Sequence, residues 1–301
     1  MAEEKISFDG IGVAEGSAEE LFDADLAVRA AREGFHVPFL FPWQRIVIAN
    51  ILDGEAALRE DEDFSNHTDD DDLYRGRQIV LLPTGAGKSM CFLVPALLLQ
   101  GATLVIYPLL ALMSDQKRRM EEAGIRSVVF KGSQSAEERE ENFAALSDSE
   151  NPARVIIANP EVLSGEKLLE RLSQVKISHI AIDEAHCVSE WGDSFRPSYL
   201  ELGRILKRLD VKLITAFTAT ASKPVLDRIA EILFGGNYHL VRGDSDRANI
   251  HYEVRYAYAK KKAALEAALT MKKPLIIFCG TRHRTEEMAR LCSAYFGQEK
   301  T

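Results

Sequence analysis

The stretch Leu82-Pro83-Thr84-Gly85-Ala86-Gly87-Lys88-Ser89 constrains this chain more than any other. It follows the apolar run Gln78-Ile79-Val80-Leu81-Leu82 and leads into Met90-Cys91-Phe92-Leu93-Val94. A buried strand that turns through glycines into a helix, with Gly-Lys-Ser at the turn, is a phosphate-binding loop. Gly85 and Gly87 let the backbone wrap around phosphate oxygens where a side chain would collide. Lys88 offers a point charge to β- and γ-phosphates, and the Ser89 hydroxyl can ligate Mg²⁺. Pro83, Thr84 and Ala86 complete the turn, so the expected nucleotide-binding segment runs from Pro83 to Ser89. One position departs from the strict pattern, which has glycine where this chain has Leu82.

Beyond the loop, apolar strand-like runs alternate with helix-like ones. The runs at 103–107, 127–130, 154–158, 179–182 and 212–217 each precede a segment of helical periodicity. Near-continuous apolar strands alternating with helices predict an α/β fold, a parallel sheet with helices on both faces. Ligands in such sheets gather at the carboxyl ends of the strands, where the polar motifs of this chain fall. One of these is Ile182-Asp183-Glu184-Ala185-His186. Asp183 is placed to hold Mg²⁺ and Glu184 to orient and polarise an attacking water. First-turn acids that complement a helix dipole are the plainer alternative. His186 sits where it could sense a γ-phosphate.

Upstream, Phe35-His36-Val37-Pro38-Phe39-Leu40-Phe41-Pro42-Trp43-Gln44 places aromatics and a glutamine ahead of the loop. Gln44 could pair with the N6/N7 edge of adenine while an aromatic face stacks on the ring. A proline-led helix start with core aromatics is the structural alternative.

The formal charge of −9 argues at first against a nucleic-acid partner. Residues 53–72, however, carry ten acids against Arg59 alone, which accounts for the whole imbalance. Residues 53–77 are therefore expected to form a solvated, disordered acidic insertion, and DNA stays open as a partner. No apolar run approaches the roughly 18 residues of a membrane span, and the first residues lack a signal-peptide core. The four cysteines form no metal or redox spacing, as in reduced thiols of a cytoplasmic or nucleoid-associated protein.

Taken together, the loop and Asp183-Glu184-Ala185-His186 resemble superfamily 2 helicases of the DEAH-box type. The continuation Cys187-Val188-Ser189-Glu190-Trp191-Gly192-Asp193-Ser194-Phe195-Arg196-Pro197-Ser198-Tyr199 resembles the aromatic-rich loop of RecQ helicases. Tyr107 to Gln116 is similar to that family's motif Ia, Asn159-Pro160-Glu161 to motif Ib, and Phe217-Thr218-Ala219-Thr220-Ala221 to motif III. Residues 247–250 and 276–282 resemble the link into a second domain and motif IV.

The resemblance implies a RecA-like fold and an ATP- and Mg²⁺-dependent DNA helicase that moves 3′ to 5′. Gln44 would read adenine, and Lys88, Ser89, Asp183 and Glu184 would carry ATP and Mg²⁺. Trp191, Phe195 and Arg196 would couple single-stranded or partly duplex DNA to hydrolysis. Thr218 and Thr220 would tie the acid motif to the DNA surface. Bases stack on aromatics whatever their sequence, which suits such a role. Two departures bear on this. Asp193-Ser194 stands where members carry His-Asp, and Leu40-Phe41 where they carry an aromatic and an Arg.

The expected organisation is a leader and helix (1–34), a first RecA-like domain (35–242), and a linker with the truncated start of a second (243–301). Lacking the family's later motifs, with an arginine that reaches the γ-phosphate, the chain is expected to turn over slowly. An RNA helicase, or a non-unwinding DNA clamp with protein partners in a repair or defence complex, are the competing functions.

Overall fold

A computed structural model describes residues 25–63, 76–190, 197–243 and 250–297. The chain divides into two compact units, residues 1–245 and 246–301.

Among the described residues the first unit has α1 (Leu26–Phe35), α2 (Pro42–Asp63), β1 (Arg77–Leu81) and α3 (Lys88–Leu98). It continues through β2 (Ala102–Ile106), α4 (Leu110–Glu122), β3 (Ser127–Phe130), α5 (Ala136–Leu146) and β4 (Val155–Ala158). Two short helices, α6 (Pro160–Leu163) and α7 (Glu166–Leu172), lead to β5 (Ile177–Ile182) and α8 (Cys187–Glu190). After a 3₁₀ turn at Pro197–Tyr199 come α9 (Leu202–Leu209), β6 (Ile214–Thr218), α10 (Lys223–Phe234) and β7 (His239–Arg242).

The seven strands among the described residues pair in parallel in the order β3-β4-β2-β5-β6-β1-β7. This is the RecA-like parallel sheet that the alternating pattern predicts. Alternate residues of each strand feed two cores. Ile79, Leu104, Ile156, Ile180 and Ile214 pack with α7, α9 and α10 on one face. Val80, Val105, Ile157, Ala181 and Phe217 pack with α2, α3 and α4 on the other. Helices on both faces explain strands that are apolar at most positions.

Polar side chains interrupt the apolar interior of the sheet, Gln78, Thr103, His179 and Thr215 among them. Gln78 Nε2 donates to Thr215 Oγ1 (3.2 Å), and His179 Nε2 lies 3.0 Å from the same hydroxyl. A hydrogen-bonded file thus crosses β1, β6 and β5. Burial without a charged partner pushes the His179 imidazole down to about 3, so it is neutral in the folded chain.

Two sequence expectations are corrected. The acidic stretch does not begin as a loop, because α2 continues to Asp63 and Arg59 pairs with Glu55 one turn back at 2.5 Å. A helix already anchored by buried Val47, Ile48 and Ile51 extends at the cost of one residue at a time. Residues 64–75 of that stretch lie outside the described residues. The first helix closes not at Gly34 but after Phe35, where left-handed His36 (φ 54°) caps it.

The second unit has α11 (Lys260–Thr270) and α12 (Arg282–Phe296). Residues 274–279, rich in side chains that favour strands, form no ladder among the described residues, and Ile276 and Phe278 are exposed. Side chains that favour strands make one only where a neighbouring strand supplies the other half of the hydrogen bonds. Among the described residues no helix is long and apolar enough to cross a membrane.

Candidate nucleotide site

The phosphate loop joins β1 to α3. Leu82 N–H donates to the Thr218 carbonyl (3.1 Å), so the ladder to β6 persists one residue past the strand. The chain then reverses through Gly85 (φ 84°) and Gly87 (φ 72°), both in the left-handed region that glycine adopts without cost. Gly87 is the residue before α3 and offers no side-chain cap, leaving the first-turn N–H groups of Lys88 and Ser89 to an incoming anion. Lys88 Nζ donates to the Leu82 carbonyl (3.3 Å) and so rests against the loop it serves.

Leu82, the departure from the strict motif, is buried in the core against α2 and α3. A side chain on Gly243 would meet its Cδ2 at 2.7 Å. Gly243 therefore makes the room that Leu82 occupies.

The acid pair follows β5. Asp183 N–H donates to the Ile106 carbonyl (2.9 Å) and Ala185 N–H to the Phe217 carbonyl (2.8 Å), which pins the turn to both neighbouring strands. Glu184 is held left-handed at φ 49°. A non-glycine residue there costs of order 1 kcal/mol and persists where the surroundings over-determine it. β6 lies between β1 and β5, so the loop and the acids stand one strand apart. The Lys88 ammonium acts on both carboxyls, drawing each down.

Their environments set the two acids apart. Burial pushes the Asp183 carboxyl up to about 6, helped by the Glu184 charge beside it. Glu184 is instead held below the usual range, chiefly by its hydrogen bond from His186. Asp183 is thus a half-buried carboxylate whose charged form burial disfavours, and the Ser89 hydroxyl at the start of α3 is a second hard oxygen donor. That set suits a hard divalent cation such as Mg²⁺.

His186 ties this turn to β6. Its Nδ1 lies 3.0 Å from Thr218 Oγ1 and 3.3 Å from Glu184 Oε2. Thr218 Oγ1 donates its own proton to the Thr220 carbonyl (3.0 Å), so it accepts from His186, and the Nδ1 proton is assigned by that network. The Cys187 sulfur, 3.9 Å from Nε2, and the Glu184 carboxylate hold the imidazole well above the usual histidine range. Thr218 is fully buried, and Thr220 enters the link through its backbone carbonyl and N–H.

Gln44 is brought to the loop, in an unexpected way. Its side chain is 3% exposed, and Nε2 donates to the carbonyls of Gly87 (3.0 Å) and Ala86 (3.4 Å). Oε1 accepts from Phe41 N–H (2.8 Å). The indole of Trp43 donates to Ala86 as well (3.0 Å). The sequence offers Trp43 only as one aromatic of several ahead of the loop, and its place next to Gln44 was the available signal. Trp191, Phe195 and Arg196 lie outside the described residues.

Residues 41–229 match the DEAD/DEAH box helicase family. The chain is 35% identical over 212 residues to the ATP-dependent DNA helicase RecQ of Haemophilus influenzae, covering 70% of this chain and 34% of that protein. It is 35% identical over 217 residues to a probable ATP-dependent DNA helicase RecS of Bacillus subtilis (70% and 42%), and 32% over 220 to the mouse ATP-dependent DNA helicase Q1 (71% and 34%). The chain thus spans 34–42% of the length of these three relatives. In fold it is similar to the DUF1998 helicase MrfA (TM-score 0.62, 20% identity, 91% of this chain and 42% of that one). A hypothetical ATP-dependent RNA helicase from Sulfolobus tokodaii shares the fold too (TM-score 0.50, 19% identity, 89% and 72%). A phosphate loop one strand away from a Asp-Glu-Ala-His turn, a family match across most of the first unit and RecQ-type sequence relatives lead to one assignment: the chain belongs to the DEAD/DEAH box helicase family and is RecQ-like within it.

Proposed function

We propose that this chain binds and hydrolyses ATP with Mg²⁺ at the Pro83–Ser89 loop and couples that hydrolysis to 3′-to-5′ movement along single-stranded DNA and to duplex unwinding. The observation that carries the reading is the set Lys88, Asp183 and Glu184, gathered around β6 with His186 bonded to Thr218 of that strand.

The free N–H groups at the start of α3 and the Lys88 ammonium bind and orient the β- and γ-phosphates. To do so Lys88 exchanges the Leu82 carbonyl for phosphate oxygen, a stronger, charge-assisted partner. Ser89 and Asp183 would hold Mg²⁺, which when bound neutralises charge developing on the phosphates. Glu184, ionised at neutral pH by its contact with His186, accepts a hydrogen bond from the attacking water and orients it. A change at the phosphates that moves Glu184 also moves His186, and with it Thr218 and Thr220. That path would connect hydrolysis to DNA held by Trp191, Phe195 and Arg196.

Hydrolysis and strand displacement, measured with single-stranded DNA, with RNA of the same sequence and with neither, test the proposal. Mg-ATP binding is expected to be lost in Lys88→Ala. In Glu184→Gln binding persists while turnover falls about a hundredfold or more. DNA is expected to stimulate hydrolysis more than RNA. Equal stimulation would favour an RNA helicase, and DNA binding without displacement a clamp.

A further inference from the structure

The segment from Pro197 to α9 is fastened, side chain by side chain, to the segment that follows another strand. In the 3₁₀ turn, Ser198 Oγ donates to Glu161 Oε1 at 3.1 Å. Arg204 of α9 forks: Nη1 donates to Glu166 Oε1 of α7 (2.6 Å) and Nη2 to Glu201 Oε2 of its own segment (3.2 Å). The Ser164 hydroxyl and the Arg204 guanidinium hold the Glu201 carboxylate below its usual range. Positions 198, 201 and 204 therefore meet 161, 164 and 166 in step. Beneath these contacts Tyr199, Leu202 and Ile205 are buried in one core with Leu163, Leu168 and Leu169.

Exposed ion pairs add little to stability, and the buried side chains already hold the two segments together. What the polar contacts add is register. Glu161 and Glu166 follow β4, residues 197–204 follow β5, and the sheet order places β2 between those two strands. No ladder joins β4 to β5 directly, so the side chains fix how the segments beyond their ends are set against each other. The stretch that leads to Pro197 leaves the acid turn through α8, whose Cys187, Val188 and Ser189 N–H groups donate to the carbonyls of Glu184, Ala185 and His186, each at 3.0 Å. Its leading end is thus tied to the acid turn and its trailing end to α6 and α7. We propose that Ser198 and Arg204, held by Glu161 and Glu166, are positioning residues for DNA-stimulated hydrolysis, which anchor the trailing end so that a shift at the other end is transmitted to the acid turn. Without the anchor the whole segment follows the shift and the acid turn feels less of it. This rests on the coupling role proposed above for Trp191, Phe195 and Arg196.

Steady-state ATP hydrolysis by the whole chain, titrated with single-stranded DNA, tests the inference in the wild type, Ser198→Ala, Glu166→Arg and the paired exchange Glu166→Arg with Arg204→Glu. Glu166→Arg sets like charges against each other, and the paired exchange restores opposite signs. The maximal DNA-stimulated rate is expected to fall about threefold in Ser198→Ala and about fivefold in Glu166→Arg, and to return to within about twofold of the wild type in the paired exchange. The unstimulated rate, the KM for ATP and the melting temperature are expected to hold in all three, since none of these residues touches the phosphate loop or the acids. Full stimulation in both single variants, a paired exchange as impaired as Glu166→Arg, or an unstimulated rate that falls in parallel would each overturn the inference. A wild type that hydrolyses ATP without any response to DNA would instead overturn the coupling reading, and the inference with it.

Discussion

Lowering the pH from 7.5 to 5 should destabilise the first unit through His179. The imidazole is fully buried, hydrogen-bonds Thr215 through Nε2 and finds no partner for Nδ1 among the described residues. Burial drops its folded pKa to about 3, while in the unfolded chain it titrates near the ordinary value of about 6.5. Between those values the unfolded chain takes up a proton that the folded chain refuses, so stability is lost as pH falls. The loss begins near pH 6.5, reaches about 2 kcal/mol at pH 5 and saturates near 5 kcal/mol below pH 3, at 1.36 kcal/mol per unit. His186, held above its usual range, contributes with the opposite sign, and His179→Leu leaves it in place.

The assay is urea unfolding followed by far-ultraviolet circular dichroism, wild type beside His179→Leu, at several pH values between 7.5 and 5. Leucine keeps the site filled and Thr215 keeps its bond from Gln78, so the variant should fold. With slopes of roughly 1–3 kcal/mol per molar urea, the wild-type midpoint should fall about 1 M more than that of the variant. Parallel decline of the two midpoints would refute the argument, since the proton would then enter elsewhere.

Gly87→Ala and Gly85→Ala should differ although both residues are left-handed. At Gly85 no atom lies within 4 Å of an added Cβ, so alanine costs about 1 kcal/mol of backbone strain. At Gly87 it also evicts Gln44 Nε2, so the melting temperature should fall about twice as far; equal losses would show that Gln44 moves freely. Thr218→Val removes the acceptor of His186 Nδ1–H and the bond to the Thr220 carbonyl. The ratio of DNA-stimulated to unstimulated ATP hydrolysis should fall several-fold, with Thr218→Ser restoring it; a wild-type ratio in Thr218→Val would sever the proposed link.

Six of the seven described strands were legible because each is a near-continuous apolar run, which a sheet covered on both faces favours. β7 escaped notice for a related reason. It is an edge strand in which Val241 alone is buried, so its sequence carries little of the signal. The run at 274–279 shows the reverse case, strand composition that forms no ladder among the described residues. The loop and the acid pair could be read from spacing, since glycines, a lysine and two carboxylates have few other uses together. Gln44 and Trp43 could not. Whether a glutamine amide faces a ligand or the chain's own carbonyls depends on contacts across 43 residues of sequence.

Leu82 explains why the loop tolerates a broken motif. The glycines of such a loop answer separate demands, and the strict pattern does not distinguish them. Gly85 is needed for its φ, and Gly87 for its φ and for the space that Gln44 takes. At position 82 neither demand exists. The backbone there still belongs to the sheet, with its N–H on Thr218, and it is not among the left-handed residues. The side chain consequently points into the α2–α3 core, where leucine is favoured and glycine would leave a void. What the substitution requires is room beside Gly243, where a Cβ would approach Leu82 to 2.7 Å. The constraint has moved from the loop to the residue after β7, and the phosphate-binding turn is untouched by the exchange.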